Sequence, residues 1–323
     1  MLKAKLAGLA AAAMVGSILA GCASMEAGTP AARAPQDIAI NGSMVFPESI
    51  THDAAANLYN GSVPGIIYRT RTGSQTAEPF IVPSEQNGIK SLLGVLADDR
   101  HGLLWTCSNP NFFAQPPETG VSSLLAFDLA NGSLSGRYDF PEGSPAACND
   151  IAIDADGTVW ASETSGGRIF VLRPNANELE LFAKGEELVG IDGLAFAGDG
   201  TLYINNVRQH LFQRVERNVD GTYVGLTNIA TSDRLNGPDG LRSLGGNRFI
   251  QGEGPGGRVA ILEVSGDTAT MVPVATGLSG SVGVTVMDKT AYVTEGKIEY
   301  LFDPKLRGKS PDPFVIRAFP MPE

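Results

Sequence analysis

The sequence predicts an all-β protein folded as a six-bladed β-propeller, and three observations support this fold class. A hairpin pattern, in which apolar and polar residues alternate on both sides of a turn, occurs six times in the 323 residues. Successive copies begin 45, 56, 43, 47 and 43 residues apart, and a period of this length is typical of propeller blades. The chain shows no long helical period, and its 39 Gly and 20 Pro residues favour many turns. A solenoid or a β-sandwich is the competing fold, and the regular spacing disfavours both.

The first residues predict an export signal instead of a blade. Lys3 and Lys5 precede an apolar run over residues 6–19, which is shorter than the ~20 residues that a membrane-spanning helix requires. The run ends in "LAGC", which resembles the bacterial lipobox and implies cleavage before Cys22 and lipidation of that cysteine. An ordinary secretory signal with a coincidental Cys22 is the alternative. We therefore expect a signal peptide over residues 1–21.

The segment after the signal predicts a lipid-anchored protein of the bacterial cell envelope. Residues 22–37 have the Ala-, Pro- and Gly-rich composition of a flexible tether, and residues 38–323 form the predicted propeller. By the lipobox resemblance, Ala23 and Ser24 indicate the outer membrane, with the propeller facing the periplasm. The net charge of −11 at pH 7 argues against nucleic acid as a partner, since phosphates would be repelled. We expect a monomer that contacts the membrane through its lipid anchor only.

Two further cysteines lie beside inner-strand motifs of neighbouring repeats. Cys107 belongs to "LLWTCS" and Cys148 to "AACNDI". In an oxidising compartment two such thiols often pair. We expect a disulfide between them, and two buried unpaired thiols are the alternative.

The six hairpins are expected to supply the two inner strands of each blade. They read "ESITHDAAANLY", "LGVLADDRHGLLW", "NDIAIDADGTVW", "DGLAFAGDGTLY", "DGLRSLGGNRF" and "VGVTVMDKTAY", and they begin at Glu48, Leu93, Asn149, Asp192, Asp239 and Val282. Most break at turn residues such as Asp-Gly, which tolerate positive φ. Outer strands follow in segments such as "RIFVLRP". The segment "IAING" at Ile38 is expected to add an outer strand to the last blade and to close the ring.

The first residues of the six hairpins predict a metal site at one end of the central channel. Inner strands line the channel, so these positions point toward one axis, and four of the six carry a side-chain oxygen. Three converging carboxylates would repel one another and raise their pKa values, and no Lys or Arg occupies a ring position. Oxygen ligands suit Ca²⁺, although another divalent cation is possible. The alternative is that acids and Asn before strands only cap turns.

A second set of polar residues follows the second strand of each hairpin. Because that strand returns to the same rim, residues three positions past its aromatic residue are expected to surround the ring. These are Glu163, Asn206 and Glu295, with Ser62 in the first blade and Glu253 (or Gly252) in the fifth. We expect Glu163, Asn206, Glu253 and Glu295 to contact a substrate docked over the metal.

The motifs "PES", "ND" before "IAIDADGTVW", "DGLAFAGDGTLY" and "GPDGL" resemble the gluconolactonase, senescence-marker and luciferin-regenerating enzyme family of six-bladed propellers. The resemblance covers nearly all of residues 45–303 and implies a divalent ion, usually calcium, held by Glu48, Asn149, Asp192 and Asp239. Asp192 stands where that family commonly has Asn. The sugar lactonases of the family carry Arg where this chain has Ala147, which argues against a sugar acid lactone as substrate.

The resemblance implies calcium-dependent hydrolysis of a small ester or lactone. The ion would polarise the carbonyl and stabilise the oxyanion, and by the same resemblance Asp239 is the expected catalytic acid. His52 is the other candidate base, because a strand period of two places it on the same side as Glu48. The alternative function is a non-catalytic, envelope-anchored binding or scaffold propeller with a structural ion, and strictosidine-synthase-like chemistry is a more distant one. The segment "SNPNFFAQPPETG" of the second blade is expected to lie over the rim.

Overall fold

The computed structural model describes residues 1–2, 34–141, 146–306 and 308–322. A compact unit begins at Pro35. The predicted signal peptide, apart from its first two residues, and the lipidated Cys22 lie outside the described residues, as does most of the predicted tether. Among the described residues, no helix combines the length and the apolar character needed to cross a membrane.

The fold is the predicted ring of six four-stranded antiparallel blades, which we number in chain order from the first complete hairpin. The strand β1 (Ile38–Ile40) precedes all six hairpins. Blade 1 contains β2 (Pro47–His52), β3 (Leu58–Ser62), β4 (Ile67–Thr70) and β5 (Thr76–Ile81); blade 2 contains β6 (Ser91–Asp98), β7 (Leu103–Asn109), β8 (Ser123–Asp128) and β9 (Leu134–Asp139); blade 3 contains β10 (Cys148–Ile153), β11 (Val159–Glu163), β12 (Arg168–Leu172) and β13 (Glu180–Lys184).

The other three blades follow the same plan. Blade 4 contains β14 (Ile191–Phe196), β15 (Leu202–Asn206), β16 (Leu211–Arg217) and β17 (Tyr223–Asn228); blade 5 contains β19 (Pro238–Ser243), β20 (Arg248–Glu253), β21 (Arg258–Ser265) and β22 (Thr268–Thr276), with the short β18 (Ala230–Thr231) parallel to β22; blade 6 contains β23 (Ser281–Met287), β24 (Thr290–Glu295), β25 (Val315–Pro320) and β1. In the described part of the chain, two short helices lie between strands, a 3₁₀ turn at Glu186–Leu188 and α1 at Glu299–Phe302.

The first strand closes the ring, as the sequence predicted. Ile38 pairs with Ile316 of β25, so that β1 becomes the outer strand of the last blade. Ala39 also pairs with Thr76 of β5 in the parallel sense. The first and last blades are therefore joined through one strand, which leaves no open sheet edge at the seam.

The core consists of six apolar clusters, one between each pair of neighbouring blades. This arrangement follows from the alternation of the strands, since each sheet presents apolar residues to the blade on either side. The cluster between blades 2 and 3 contains Trp105 and Phe170, and there Cys107 and Cys148 form a disulfide across the two inner hairpins. The pairing predicted from the sequence is present in the structure.

Each inner strand begins with a β-bulge, which the sequence analysis did not anticipate. In blade 3, Cys148 pairs with Glu163 and Ile151 pairs with Ala161, so Asn149 and Asp150 together face only Ser162. The same register shift occurs at the start of the inner strand in all six blades. A bulge locally redirects side chains, and here it does so at the six positions predicted to form the ring.

Candidate metal centre at the channel mouth

The structure brings the four predicted ligands together from four different blades. Glu48, Asn149 and Asp192 are buried, with 7%, 8% and 5% of their surfaces exposed, while Asp239 is only partly buried. Each is the bulged residue at the start of its inner strand, and the six inner strands pack side by side around the channel. The remaining ring positions carry the apolar Leu93 and Val282.

Glycine at the second bulge position allows the inner strands to approach one another. A Cβ atom on Gly193 would collide with the backbone oxygen of Asp239, and one on Gly240 would collide with that of Val282. The Asp-Gly pair that opens two of the hairpins therefore combines an oxygen ligand with the close strand contact that brings the ligands together.

Direct hydrogen bonds link the ring residues of blades 3 and 4. The Nδ2 atom of Asn149 donates to Oδ2 of Asp192 over 2.9 Å and to Oγ1 of Thr164 over 2.9 Å. Both bonds use Nδ2, so Oδ1 is the atom of the Asn149 amide that would bind an ion. The Asp192 carboxyl also lies close enough to Asp239 for its charge to raise the pKa of Asp239.

The three ring carboxyls share an electrostatic environment that disfavours their charged forms. Burial and the neighbouring charge of Asp150 raise the pKa of Asp192 to about 8. Burial also raises the pKa of Glu48 and that of Asp239 well above their usual values, and the other ring acids add to both shifts. Such mutual repulsion is the condition that a bound cation relieves.

A counter-charge beneath the ring was missed by the sequence analysis. No Lys or Arg occupies a ring position, but Nη1 of Arg242 lies 2.7 Å from Oδ2 of Asp150, and the guanidinium lowers the pKa of Glu48. Its Nη2 also donates to Ser49 Oγ over 3.3 Å and to the Val95 carbonyl oxygen over 3.4 Å. Arg242 thus crosses the channel from blade 5 and contacts blades 1, 2 and 3.

The bulge explains why simple alternation overlooked these two residues. A period of two starting at Asp239 would direct Leu241 into the channel and Arg242 away from it. The register shift between Pro238 and Leu241 reverses this parity, and the corresponding shift in blade 3 places Asp150 close to the ring acids. The signal in the sequence was the polar pair Asn149-Asp150, of which only the first member was interpreted.

The donor set fits a hard divalent cation by its chemistry. It offers three carboxylates and one amide oxygen, the ligand types that Ca²⁺ accepts at 2.3–2.6 Å, and it lacks thiolate and imidazole, which disfavours Zn²⁺. Oδ1 of the buried Asp150 has no hydrogen-bond partner and adds a further unsatisfied oxygen to the surroundings. Within the described part of the chain, no group of three or more Asp, Glu, His or Cys side chains lies close enough to hold an ion as arranged. A cation would therefore have to draw the ring oxygens inward.

The predicted second tier serves a different purpose, and the prediction that it contacts substrate is wrong. The Glu163 carboxylate is fully buried and accepts hydrogen bonds from the backbone N–H groups of Ala147, Ser165 and Gly166, and its Oε2 pairs with Nε of Arg168 over 2.8 Å. The residue ends β11, so its carboxylate ties the following turn to the loop that enters the same blade. Its hydrogen-bonding capacity is therefore used within the protein.

The equivalent residues of the other blades follow the same pattern. Oδ1 of Asn206 accepts from the backbone of Arg208 and Gln209; Glu253 accepts from the Asn236 backbone and pairs with Arg258; Glu295 accepts from the Ser279 backbone and pairs with Arg317. All three side chains are buried, with at most 7% of their surfaces exposed. Like Glu163, they hold the rim loops in place and do not face a docking substrate.

The prediction of His52 as a catalytic base is also wrong. His52 is the last residue of β2, and four residues along a strand correspond to about 13 Å, so it lies near the opposite end of the channel from Glu48. Its Nδ1 is 2.8 Å from Thr285 Oγ1, and burial lowers the pKa of its imidazole. A period of two takes no account of this distance along the strand, nor of the bulge at Glu48.

A cavity opens beside Asp239 on the ring side of the propeller. Its volume is about 440 Å³, and it is lined by Asp239, Gly254, Pro255, Leu278, Gly280, Val282, Ile298, Glu299 and Phe302. Gly254 forms part of the floor, because a Cβ atom there would lie 3.3 Å from Asp239 Oδ2. Asp239 is therefore the ring acid that faces a space large enough for a small molecule.

The extended loop of blade 2 lies over the same rim, as expected. Phe113 packs against the apolar cluster between blades 6 and 1, as do Tyr300 and Leu301 of the helix α1. The loop and the helix also line one cavity, so they lie side by side near the channel mouth.

Comparisons with known proteins identify the fold. No protein-family model matches the sequence, and no curated protein matches it. Among solved structures, the major allergen Mala s 1 of Malassezia sympodialis has a TM-score of 0.68 at 13% identity, covering 89% of this chain and 96% of that one. The calcium-binding protein regucalcin from Agrobacterium tumefaciens has a TM-score of 0.63 at 14% identity, covering 90% and 96%. A gluconolactonase from Xanthomonas campestris has a TM-score of 0.60 at 15% identity, covering 90% and 99%.

These neighbours include members of the family that the sequence motifs resemble. At such low identity the likeness concerns the architecture of the chain. The protein thus has the six-bladed propeller fold that regucalcin and gluconolactonase share.

Proposed function

We propose that the protein is a calcium-dependent hydrolase of a small ester or lactone, acting at the ring-side mouth of the channel. One observation supports this proposal above the others: two buried carboxyls, a buried amide and the partly buried carboxyl of Asp239 come from four blades to one place beside a cavity that reaches Asp239. Buried acids without an internal counter-ion at ring level are costly to maintain in a fold, and in a concave site they are typical of functional groups.

The exposure of the four ring residues indicates which of them would hold the ion and which would act on the substrate. Glu48, Asn149 and Asp192 are buried and would hold the ion, while Asp239 has one side toward the cavity and is placed to orient water against a substrate carbonyl. A bound divalent cation polarises a carbonyl and stabilises the developing oxyanion. Asp239 would accept a proton from the water as the water oxygen bonds to the acyl carbon. The acyl C–O bond then breaks and the leaving alkoxide takes that proton from Asp239, which yields a carboxylic acid and an alcohol.

The structural neighbours favour the same chemistry. One is described as a calcium-binding protein and another as a gluconolactonase. Ala147 stands where sugar lactonases of the resembled family have Arg, so we propose a substrate other than a sugar acid lactone.

Turnover of a panel of aryl esters and lactones, measured with CaCl₂ and with excess EDTA, tests the function. We expect hydrolysis that EDTA abolishes and Ca²⁺ restores, and an Asp239→Asn variant that loses at least about 100-fold in kcat. Asp199→Asn, in an exposed turn at the other end of the channel, is the matched control and should retain activity.

Calcium titration by calorimetry separates the proposed enzyme from the scaffold alternative. Calcium binding that raises the melting temperature without turnover of any substrate would assign the ion a structural role. Neither binding nor turnover would contradict both the metal site and the hydrolase.

We further propose that the protein is a monomer anchored in the outer membrane through a lipidated Cys22. The proposal rests on the "LAGC" motif and the following Ala23 and Ser24. Mass spectrometry of the protein from membranes should show an N-terminal diacylglyceryl cysteine, and Cys22→Ser should release the protein into the soluble periplasmic fraction. A Cys22→Ser protein that stays with the outer membrane would contradict lipid anchoring.

A further inference from the structure

The helix α1 and the loop of blade 2 enclose a second cavity at the channel mouth. Its volume is about 610 Å³, and it is lined by residues 112–117 of the loop and by Leu301 and Phe302 of the helix. Phe302 also lines the cavity that contains Asp239. The two spaces therefore adjoin at one side chain, and we call the pair of them the groove.

Most of the side chains that line this groove are apolar. Between Asp239 and the loop they consist chiefly of Val282, Leu278, Ile298, Phe302 and Phe112, and Glu299 and Gln115 are the only polar side chains besides Asp239 that the two cavities include among the described residues. A polyhydroxylated ligand would lose its hydrogen bonds to water here without replacement. An alkyl chain would lose none and would bury apolar surface.

The exposure of Phe302 supports a ligand rather than a core role. The residue is 59% exposed, so its ring is accessible to a ligand at the rim. The polar end of the groove is equally informative, because a carboxyl at one end and apolar walls beyond it match a molecule with a reactive carbonyl and a hydrocarbon tail.

We propose that this groove binds the acyl chain of the substrate, so that the protein acts on medium- or long-chain acyl esters or alkyl-substituted lactones. This inference rests on the proposed hydrolase for the chemical step. The carbonyl lies at Asp239, and the chain extends past Val282 and Phe302 toward Phe112. The groove itself binds the hydrocarbon tail whether or not the bond is cleaved.

Two measurements on the purified protein test the groove. The first is kcat/KM for p-nitrophenyl acetate, butyrate, hexanoate and octanoate, which we expect to rise about three- to fourfold for each added methylene until the groove is filled. The second uses no chemical step: displacement of the fluorescent probe dansyl-undecanoic acid by decanoate and by butyrate, with and without Ca²⁺. Decanoate should displace the probe at far lower concentration than butyrate.

Matched variants locate the effect. Phe302→Ser should lower the octanoate-to-acetate ratio of kcat/KM by about tenfold or more and weaken probe binding, since it removes a large apolar contact. Val224→Ser replaces an apolar residue that is 60% exposed on β17, far from the groove in blade 4, and should change neither quantity.

Each outcome bears on one proposal or the other. Chain-length-dependent displacement that Phe302→Ser abolishes, without turnover of any ester, would support the groove and contradict the hydrolase. Turnover that is independent of chain length and unaffected by Phe302→Ser would contradict the groove and leave the hydrolase standing. Absence of both turnover and chain-length-dependent displacement would overturn the groove as well as the hydrolase.

Discussion

Replacement of Arg242 by Met tests how the channel beneath the ring is held together. The guanidinium and the Asp150 carboxylate form an ion pair at 2.7 Å with side-chain exposures of 14% and 5%. Removal of one partner of a buried pair leaves the other charge uncompensated and costs about 3–5 kcal/mol. Asp150 also lies close enough to Glu48 and the other ring acids to repel them, so the loss should fall at the upper end of that range.

The ion pair is incompletely satisfied, which predicts the result of removing both partners. Oδ1 of Asp150 and Nε of Arg242 are buried without hydrogen-bond partners. Replacement of a buried pair by apolar residues of similar size is often neutral. We therefore expect Arg242→Met with Asp150→Leu to recover at least about 2 kcal/mol of the loss caused by Arg242→Met alone.

Urea unfolding at pH 7 in EDTA measures the free energies of the four proteins in this double-mutant cycle. Arg242→Met should also lower the melting temperature by about 6–10 °C, at roughly 2 °C for each kcal/mol in a domain of this size. Arg137→Met, which breaks the exposed pair with Asp139, is the control and should cost less than about 1 kcal/mol. The reasoning is refuted if Arg242→Met costs no more than that control, or if the effects of Arg242→Met and Asp150→Leu are additive within about 0.5 kcal/mol. Either result would mean that the ion pair in the channel does not stabilise the fold.

Three further predictions concern the ring, the disulfide and the rim. In EDTA the unfolding free energy should fall as the pH rises from about 4 to 8, by up to about 1.4 kcal/mol per pH unit for each carboxyl. The reason is that the pKa of Asp192 is about 8 in the folded state, so the folded protein binds a proton that the unfolded chain has already lost. Ca²⁺ should flatten this slope, and equal stability at pH 5 and pH 8 in EDTA would refute the prediction. Replacement of Cys107 and Cys148 by Ala should cost about 4 kcal/mol in urea unfolding, since the bond joins positions 41 residues apart, and a loss below about 1 kcal/mol would contradict a structural role. Glu163→Gln should lower the unfolding free energy by about 3 kcal/mol, because it leaves Arg168 buried and unpaired. Calorimetry of the same variant should show an unchanged calcium affinity, and a weakened affinity would indicate that Glu163 takes part in ion binding.

The sequence was sufficient for the fold and for the position of the ring because both follow from repetition. One hairpin pattern observed six times predicts six blades, and a residue at the same place in each copy must occupy the same place around the axis. The residues Glu48, Asn149, Asp192 and Asp239 could therefore be grouped without knowledge of any contact between them.

The features that were missed depend on departures from that regularity. The bulge that turns Arg242 into the channel has no signature in a period-two pattern, because one extra residue reverses the parity of everything after it. His52 was wrongly assigned because a period of two gives no distance along the strand, and because a bulge also lies at Glu48. Glu163 was misjudged because position in a repeat does not reveal whether a carboxylate is already satisfied by nearby backbone N–H groups.

Because β1 pairs with strands of both the first and the last blade, the ring can close only after the whole chain has been synthesised. Ile38 is synthesised long before its partner Ile316. The strand β1 therefore has no antiparallel neighbour until the last blade leaves the ribosome. The ring of polar residues from blades 1, 3, 4 and 5 can therefore be completed only late in synthesis. A chain that terminates before β25 would therefore lack the strand pairing that closes the ring, and its ring acids would not be held together.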